Sequence, residues 1–146
     1  MRTSMGGKTG RLLNVRSAGT GALALGALLL SGVADSGQAQ TPNLEGSWTG
    51  GGSVSFSSGS KEDARCRASY QRRTAKSYTL RAVCATPSVR ASQTATVRQV
   101  GSNRFEGSFY NSEYNVSGSI YIVVRGSSQN VRLTSSAGWA HFRLSR

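Results

Sequence analysis

Residues 115–125, NVSGSIYIVVR, decide the fold. Apolar or small residues alternate with polar ones, so one face of the segment carries Val116, Gly118, Ile120, Ile122 and Val124. A period of two is typical of a β-strand that packs one face against a core. The next five residues, 126–130, are small and polar and predict a turn.

Shorter segments with the same period lie on both sides of this strand. They predict further strands at residues 47–49, 53–57, 63–70, 77–85, 92–100, 104–110, 131–135 and 139–145. No helical period interrupts them, and the connections between them are short. The sequence therefore predicts an all-β fold of eight or nine strands, a small antiparallel up-and-down barrel, with a β-sandwich as the alternative.

The two cysteines belong to the clearest hairpin, formed by residues 63–70 and 77–85. If Cys66 lies opposite Cys84, then Ala68 faces Ala82 and Tyr70 faces Leu80, and all of them share one side. An even cysteine count favours a disulfide in a small exported protein, and residues 1–39 predict export. Closing this loop stabilises a small domain by about 3 kcal/mol in the chain-entropy model.

Residues 1–39 have the pattern of a secretory signal. Basic residues without an acidic one precede the apolar stretch 18–30, and small residues ending at Ala39 predict a cleavage site. The apolar stretch is too short to span a bilayer, which disfavours the alternative of an uncleaved anchor. We therefore expect a periplasmic or secreted domain, residues 40–146, with no transmembrane segment after cleavage; its oligomeric state stays open.

The expected mature chain is strongly basic, with 14 Lys and Arg, 12 of them Arg, against 5 Asp and Glu. Such a charge favours anionic partners: lipopolysaccharide, acidic polysaccharide, nucleic acid or another envelope protein. A solvated surface without a specific partner is the alternative. The cysteine hairpin is the most basic segment, and its candidate anion-binding residues are Arg65, Arg67, Arg72, Arg73, Lys76 and Arg81.

Residues 109–115 mix aromatic and amide side chains and predict a loop. Rings beside hydrogen-bonding groups suit a saccharide or peptide ligand, whereas the alternative is that they cap the core and shape the turn. The candidate ligand-binding residues are Tyr110, Asn111, Glu113, Tyr114 and Asn115. Trp48 is expected to plug one end of the barrel, where its ring would bury a large apolar area.

The residues that could support catalysis do not form a recognisable motif. His141 is the single histidine, and the strand period places it outward with Trp139 and Arg143. Glu106 and Glu113 are the remaining candidates for a hydrolase. Too few ligands accompany the cysteines for a metal site. We therefore predict no catalytic residue, no metal and no cofactor.

Several short motifs resemble an uncharacterised family of small exported bacterial proteins. They are Gly46-Ser47-Trp48, Gly50-Gly51-Gly52, Ala64-Arg65-Cys66-Arg67, Cys84-Ala85 and the segment 107–114. This resemblance implies a soluble envelope or secreted protein without an assigned activity. A fainter likeness, a Trp after a Gly followed by two hairpin cysteines, is similar to periplasmic inhibitors of bacterial metalloproteases, in which an N-terminal tail enters the protease.

These observations rank three classes of function. The first is a non-enzymatic binding module of the bacterial envelope that contacts an anionic partner through its basic hairpin. The second is a protease inhibitor acting through residues 40–45, as the fainter resemblance implies. The third is a hydrolase that uses Glu106, Glu113 or His141. Whether the barrel contains a ligand-sized cavity stays open at this point, because small inward residues also permit tight packing.

Overall fold

The computed structural model describes residues 42–146, so the predicted signal segment 1–39 lies outside the described residues. Residues 46–145 form eight antiparallel strands. They are β1 Gly46–Phe56, β2 Lys61–Arg72, β3 Ser77–Ala85, β4 Arg90–Gln99, β5 Arg104–Asn111, β6 Val116–Arg125, β7 Ser128–Ser135 and β8 Gly138–Ser145. Each strand pairs with the next along the chain, and β1 also pairs with β8. The predicted up-and-down barrel is confirmed.

The barrel interior is built from the alternating faces that the sequence predicts. In β6, Ile120, Ile122 and Val124 are buried inside the barrel. In the hairpin of β2 and β3, Cys66 pairs with Cys84 and Tyr70 with Leu80. The predicted disulfide joins Cys66 to Cys84. Because alternation is a local property of strands, this part of the fold could be obtained from the sequence alone.

Three predicted boundaries are wrong. The two N-terminal strands are one, β1, and the predicted loop 109–115 begins only after Asn111. The predicted turn 126–130 contains only residues 126 and 127, and Ser128 to Asn130 belong to β7. Polar composition indicates a turn, but these polar residues instead continue the backbone pairing with β6 and β8.

Glycines let β1 approach β8 closely where the barrel closes. A Cβ atom at Gly50 or Gly52 would collide with the carbonyl oxygens of Arg143 and His141. The glycine-rich segment that suggested a break between two strands therefore bends a single strand, as glycines commonly do in curved sheets.

Residues 42–146 contain no helix that is long and apolar enough to cross a membrane.

Candidate functional site

One end of the barrel is closed. This end holds the first residues of β1 and β5, the last residues of β2 and β4, and the large buried side chains Leu44, Trp48, Tyr70, Val97 and Phe105. The Trp48 Nε1 donates a hydrogen bond of 2.8 Å to the Leu44 carbonyl oxygen. The plug that the sequence predicts for Trp48 is confirmed, because its side chain is fully buried across this end.

A polar pair lies inside the same closed end. The Tyr70 hydroxyl donates a hydrogen bond of 2.9 Å to Oε1 of Gln129, and both side chains are fully buried. Burial raises the pKa of Tyr70, and the hydrogen bond from Tyr70 to Gln129 opposes this effect only in part. Among the described residues, Nε2 of Gln129 has no hydrogen-bond partner. Large, fully buried side chains therefore fill this end of the barrel.

The opposite end is an open mouth with a cavity of about 260 Å³. Its wall is mainly apolar and comes from most of the strands and from the connection between β3 and β4: Val54, Val89, Phe109, Val116, Leu133 and Phe142. The cavity exists because small residues, Ala91 and Ala140, face inward at this level, whereas large ones fill the closed end. A second void of about 30 Å³ lies deeper, between the mouth and the closed end.

Two amide side chains bring hydrogen-bonding groups to this apolar cavity. Gln93 faces inward from β4 and borders both the mouth cavity and the deeper void. Asn111 ends β5, is buried, and uses its Oδ1 to accept a hydrogen bond of 3.1 Å from the Tyr114 backbone N–H. Within residues 42–146, neither the Gln93 amide nor Nδ2 of Asn111 has a hydrogen-bond partner in the protein. Both groups are therefore available to a ligand.

The rim of the mouth is held in place by polar contacts between connections. The Glu62 carboxylate accepts a hydrogen bond of 2.7 Å from the Ser88 hydroxyl, which ties β2 to the connection after β3. Hydrogen bonds from the side chains of Thr86 and Ser88 lower the pKa of Glu62. The rim is accordingly tied in a defined position around the cavity.

The predicted ligand-binding loop is divided by the structure. Asn111 and Tyr114 border the mouth cavity. Tyr110 and Asn115 lie outside, where the Tyr110 hydroxyl approaches Oδ1 of Asn115 at 3.4 Å. Oε2 of Glu113 accepts a long hydrogen bond, 3.4 Å, from the Ser92 backbone N–H. Two of the five predicted residues therefore lie beside the cavity.

The predicted anion-binding residues also fall into two groups. Arg65, Arg67 and Arg81 are exposed on the outer wall of the barrel, as the hairpin register predicted. Arg72, Arg73 and Lys76 lie at the closed end, around the connection between β2 and β3. Arg72 is engaged there, with its Nε 3.6 Å from Oε2 of Glu45 and its guanidinium over the Tyr78 ring.

The remaining catalytic candidates lie away from the cavity interior. Glu106 and His141 are exposed on the outer wall. Trp139, whose exposed position was also predicted, is half exposed and borders the mouth cavity. Of the predicted inhibitory segment 40–45, residues 40 and 41 lie outside the described residues; in the remainder, Leu44 is fully buried and Glu45 is the ion-pair partner of Arg72. Within residues 42–146, no three side chains of His, Cys, Asp or Glu are grouped as metal ligands would be.

Sequence reasoning missed the two inward glutamines. Gln93 and Gln129 occupy inward positions of β4 and β7, where a polar residue is normally expected to face solvent. The signal that could have found Gln93 is its phase, because it alternates with Ala91, Ala95 and Val97 on one face of the strand. A polar residue in an otherwise apolar inward series is the pattern to look for in a ligand-binding barrel.

Comparison with known proteins connects this chain to β-barrels through structure alone. No family model and no curated protein matches the sequence. A redesigned β-barrel, mFAP1, bound to DFHBI, is similar with a TM-score of 0.61 and 15% identity, over 74% of this chain and 97% of that one. A second redesigned barrel, mFAP0, also bound to DFHBI, gives a TM-score of 0.59 and 14% identity, over 70% of this chain and 98% of that one.

A third similar structure is a fluorescence-activating β-barrel that was designed de novo. Its TM-score is 0.56 and its identity 18%, over 74% of this chain and 95% of that one. At identities this low, the three comparisons establish the barrel fold and leave the function to the site itself.

Proposed function

We propose that the chain is an exported, non-enzymatic binding module that holds a small and largely apolar molecule in the open mouth of its barrel. The observation that carries this proposal is the asymmetry of the interior. Trp48 and its neighbours fill one end, whereas the other end contains an apolar cavity of about 260 Å³. Concave, mainly apolar sites with a few polar groups are the usual form of small-molecule sites.

The cavity limits the size of the ligand. A cavity of about 150 Å³ accommodates benzene, so a cavity of this size suits a molecule of about ten non-hydrogen atoms. A longer ligand could extend through the open mouth into solvent. Eight-stranded barrels are known to be wide enough to hold one small ligand, and two of the similar designed barrels are described as bound to DFHBI.

The lining determines the chemistry of the ligand. No charged side chain borders the cavity among the described residues, and burying an unpaired charge is unfavourable. Gln93 instead offers its amide group, and Asn111 offers its Nδ2 while its Oδ1 is held by the Tyr114 backbone N–H. We therefore expect an uncharged ligand with an apolar body and one hydroxyl or carbonyl group directed at these amides.

Two observations support the export and non-enzymatic parts of the proposal. The Cys66–Cys84 disulfide fits an oxidising compartment outside the cytoplasm, as the predicted signal segment does. Glu106 and His141, two of the residues considered for a hydrolase, face away from the cavity on the outer wall. The lining contains hydroxyl groups, such as that of Ser135, but no histidine or carboxylate to activate them.

The test uses calorimetry to measure the binding of 2-naphthol, an uncharged probe of suitable size. Ala91→Phe places a ring in the cavity, and Ala85→Phe places the same ring on the outer wall as a matched control. We expect saturable binding to the native protein and to Ala85→Phe, with binding to Ala91→Phe lost. Equal binding to both variants would place the probe elsewhere and overturn the proposal, as would no binding to the native protein.

A further inference from the structure

Charge is segregated along the axis of the barrel. At the closed end, seven exposed cationic side chains accompany two carboxylates, Glu45 and Glu106, the second of which lies opposite Arg98 in the register of β4 and β5. The cations are Arg72, Arg73, Lys76, Arg98, Arg104, Arg125 and Arg146. At the mouth, two cations, Lys61 and Arg90, accompany three carboxylates, Glu62, Asp63 and Glu113. The positive potential is therefore concentrated at the closed end and does not surround the ligand cavity.

Most of the closed-end cations are available to a partner. Arg72 is paired with Glu45, and the Arg146 guanidinium stacks over the Trp48 ring. Among residues 42–146, the other five have no carboxylate within salt-bridge distance. Five exposed cations without a carboxylate partner repel one another, so an anionic partner would lower their electrostatic energy.

Backbone hydrogen bonds hold the connections that carry these cations together. The Gln99 N–H donates to the Lys76 carbonyl oxygen at 2.8 Å, which joins the connection after β2 to the end of β4. The Val124 N–H donates to the Asn103 carbonyl oxygen at 2.9 Å. The cations are therefore distributed around one barrel end and do not form a linear track.

The apolar residues at the two ends distinguish among anionic partners. Val100, 49% exposed, protrudes from the connection between Arg98 and Arg104 at the closed end. The exposed aromatic residues of the described chain, Tyr110, Tyr114 and Trp139, all belong to the mouth half. Binding of single-stranded nucleic acid uses aromatic rings interleaved with cations, whereas an exposed aliphatic residue among cations suits a lipid headgroup layer.

We propose that the closed end of the barrel, defined by Arg73, Lys76, Arg98, Arg104 and Arg125, docks on an anionic phospholipid surface. Clustered cations are attracted to anionic headgroups, and the attraction decays within a Debye length. In this orientation the mouth points away from the lipid, so the ligand cavity remains open to solvent. This inference does not depend on the cavity being occupied.

The test compares two triple variants that lose the same charge. The first variant neutralises three cations of the closed end: Arg73→Gln, Lys76→Gln and Arg104→Gln. The second neutralises three cations on the outer wall of the hairpin formed by β2 and β3: Arg65→Gln, Arg67→Gln and Arg81→Gln. The full chain is expressed in cells, and the intact mass of the purified protein is recorded. The protein is then sedimented with vesicles of phosphatidylcholine alone and with vesicles that also contain phosphatidylglycerol. Far-UV circular dichroism and thermal unfolding establish that both variants are folded.

We expect the native protein to bind only the phosphatidylglycerol vesicles and to be released by salt. Each cation near an anionic surface contributes a factor of roughly five, so the closed-end variant should lose roughly 100-fold in partitioning. The partitioning of the outer-wall variant should fall by a factor several times smaller. Equal losses would show that net charge alone acts, and tighter binding to a single-stranded oligonucleotide under the same conditions would identify a different partner; either result overturns the proposal.

Discussion

The guanidinium carbon of Arg146 lies 4.5 Å from the centroid of the Trp48 ring. The same side chain donates a hydrogen bond of 3.1 Å to the Glu45 carbonyl oxygen. Trp48 thus packs against the core on one side and a cation on the other. The contact joins the strand that begins the barrel to the residue that follows its last strand, so it reinforces the closed end.

Replacing Arg146 with alanine should destabilise the barrel. Loss of the cation–π contact and the hydrogen bond is expected to lower the free energy of unfolding by about 1–2 kcal/mol. Arg125→Ala, at the same end but without an aromatic partner, is the control and should change it by no more than about 0.5 kcal/mol. Urea denaturation measures both, and equal effects would show that the stacking contributes nothing specific.

Removing the disulfide should have a larger effect. The Cys66→Ala, Cys84→Ala double variant releases a loop with a sequence separation of 18 residues, and the chain-entropy model gives a loss of about 3 kcal/mol. The native protein measured with a reductant provides the comparison, because it keeps both side chains in place. A double variant as stable as the oxidised protein would contradict this prediction.

The buried pair Tyr70 and Gln129 can be tested by a double-mutant cycle. Tyr70→Phe leaves both ends of the Gln129 amide unpaired and should lower the free energy of unfolding by about 1–3 kcal/mol. Adding Gln129→Met, of similar shape, removes the unpaired amide and should recover most of that loss. If the two changes are simply additive, the hydrogen bond does not couple the residues.

Burial of Tyr70 also predicts how stability depends on pH. Burial raises its pKa above the ordinary value of 10.0, so above that pH the unfolded chain loses the phenol proton while the folded barrel keeps it. The contribution is fully present below pH 10 and is lost as pH rises, by about 1.4 kcal/mol per pH unit. The slope should be shallower in Tyr70→Phe and unchanged in Tyr121→Phe, as measured by urea denaturation across a pH series.

The sequence was sufficient for the fold because strand alternation and hairpin register are local. The phases of Cys66 and Cys84 agree across one short hairpin, so their pairing required no three-dimensional information. The cavity could not be predicted in the same way. It depends on Ala91 and Ala140 facing inward at the same level of the barrel, although they are far apart in the chain.

The polar residues inside the barrel could not be predicted from the sequence either. Gln129 falls in the predicted turn 126–130 because glycine, serine and asparagine surround it, yet it is buried and paired with Tyr70 from a distant strand. Gln93 carries no signal of its own in the sequence beyond its place in the predicted strand 92–100. Its position between the mouth cavity and the deeper void depends on how all the strands close into the barrel, which is not a local property of the sequence.

The Gln93 amide should select ligands by a single hydroxyl group. In Gln93→Leu, the cavity keeps its apolar wall but loses a hydrogen-bonding partner, which costs a matching ligand about 1–2 kcal/mol, a factor of roughly 5–30 in affinity. We therefore expect weaker binding of 2-naphthol and unchanged or tighter binding of naphthalene. The ratio of the two affinities, measured by calorimetry, cancels any general loosening of the barrel.

Thr94→Leu is the matched control for this prediction, because Thr94 is the next residue of β4 and faces outward. It adds the same apolar side chain without touching the cavity, and both affinities should stay at the native values. If Gln93→Leu weakens naphthalene and 2-naphthol equally, the substitution acts through packing. In that case Nδ2 of Asn111, at the rim, becomes the group that a ligand hydroxyl would contact, since it is the other amide without a protein partner at the cavity.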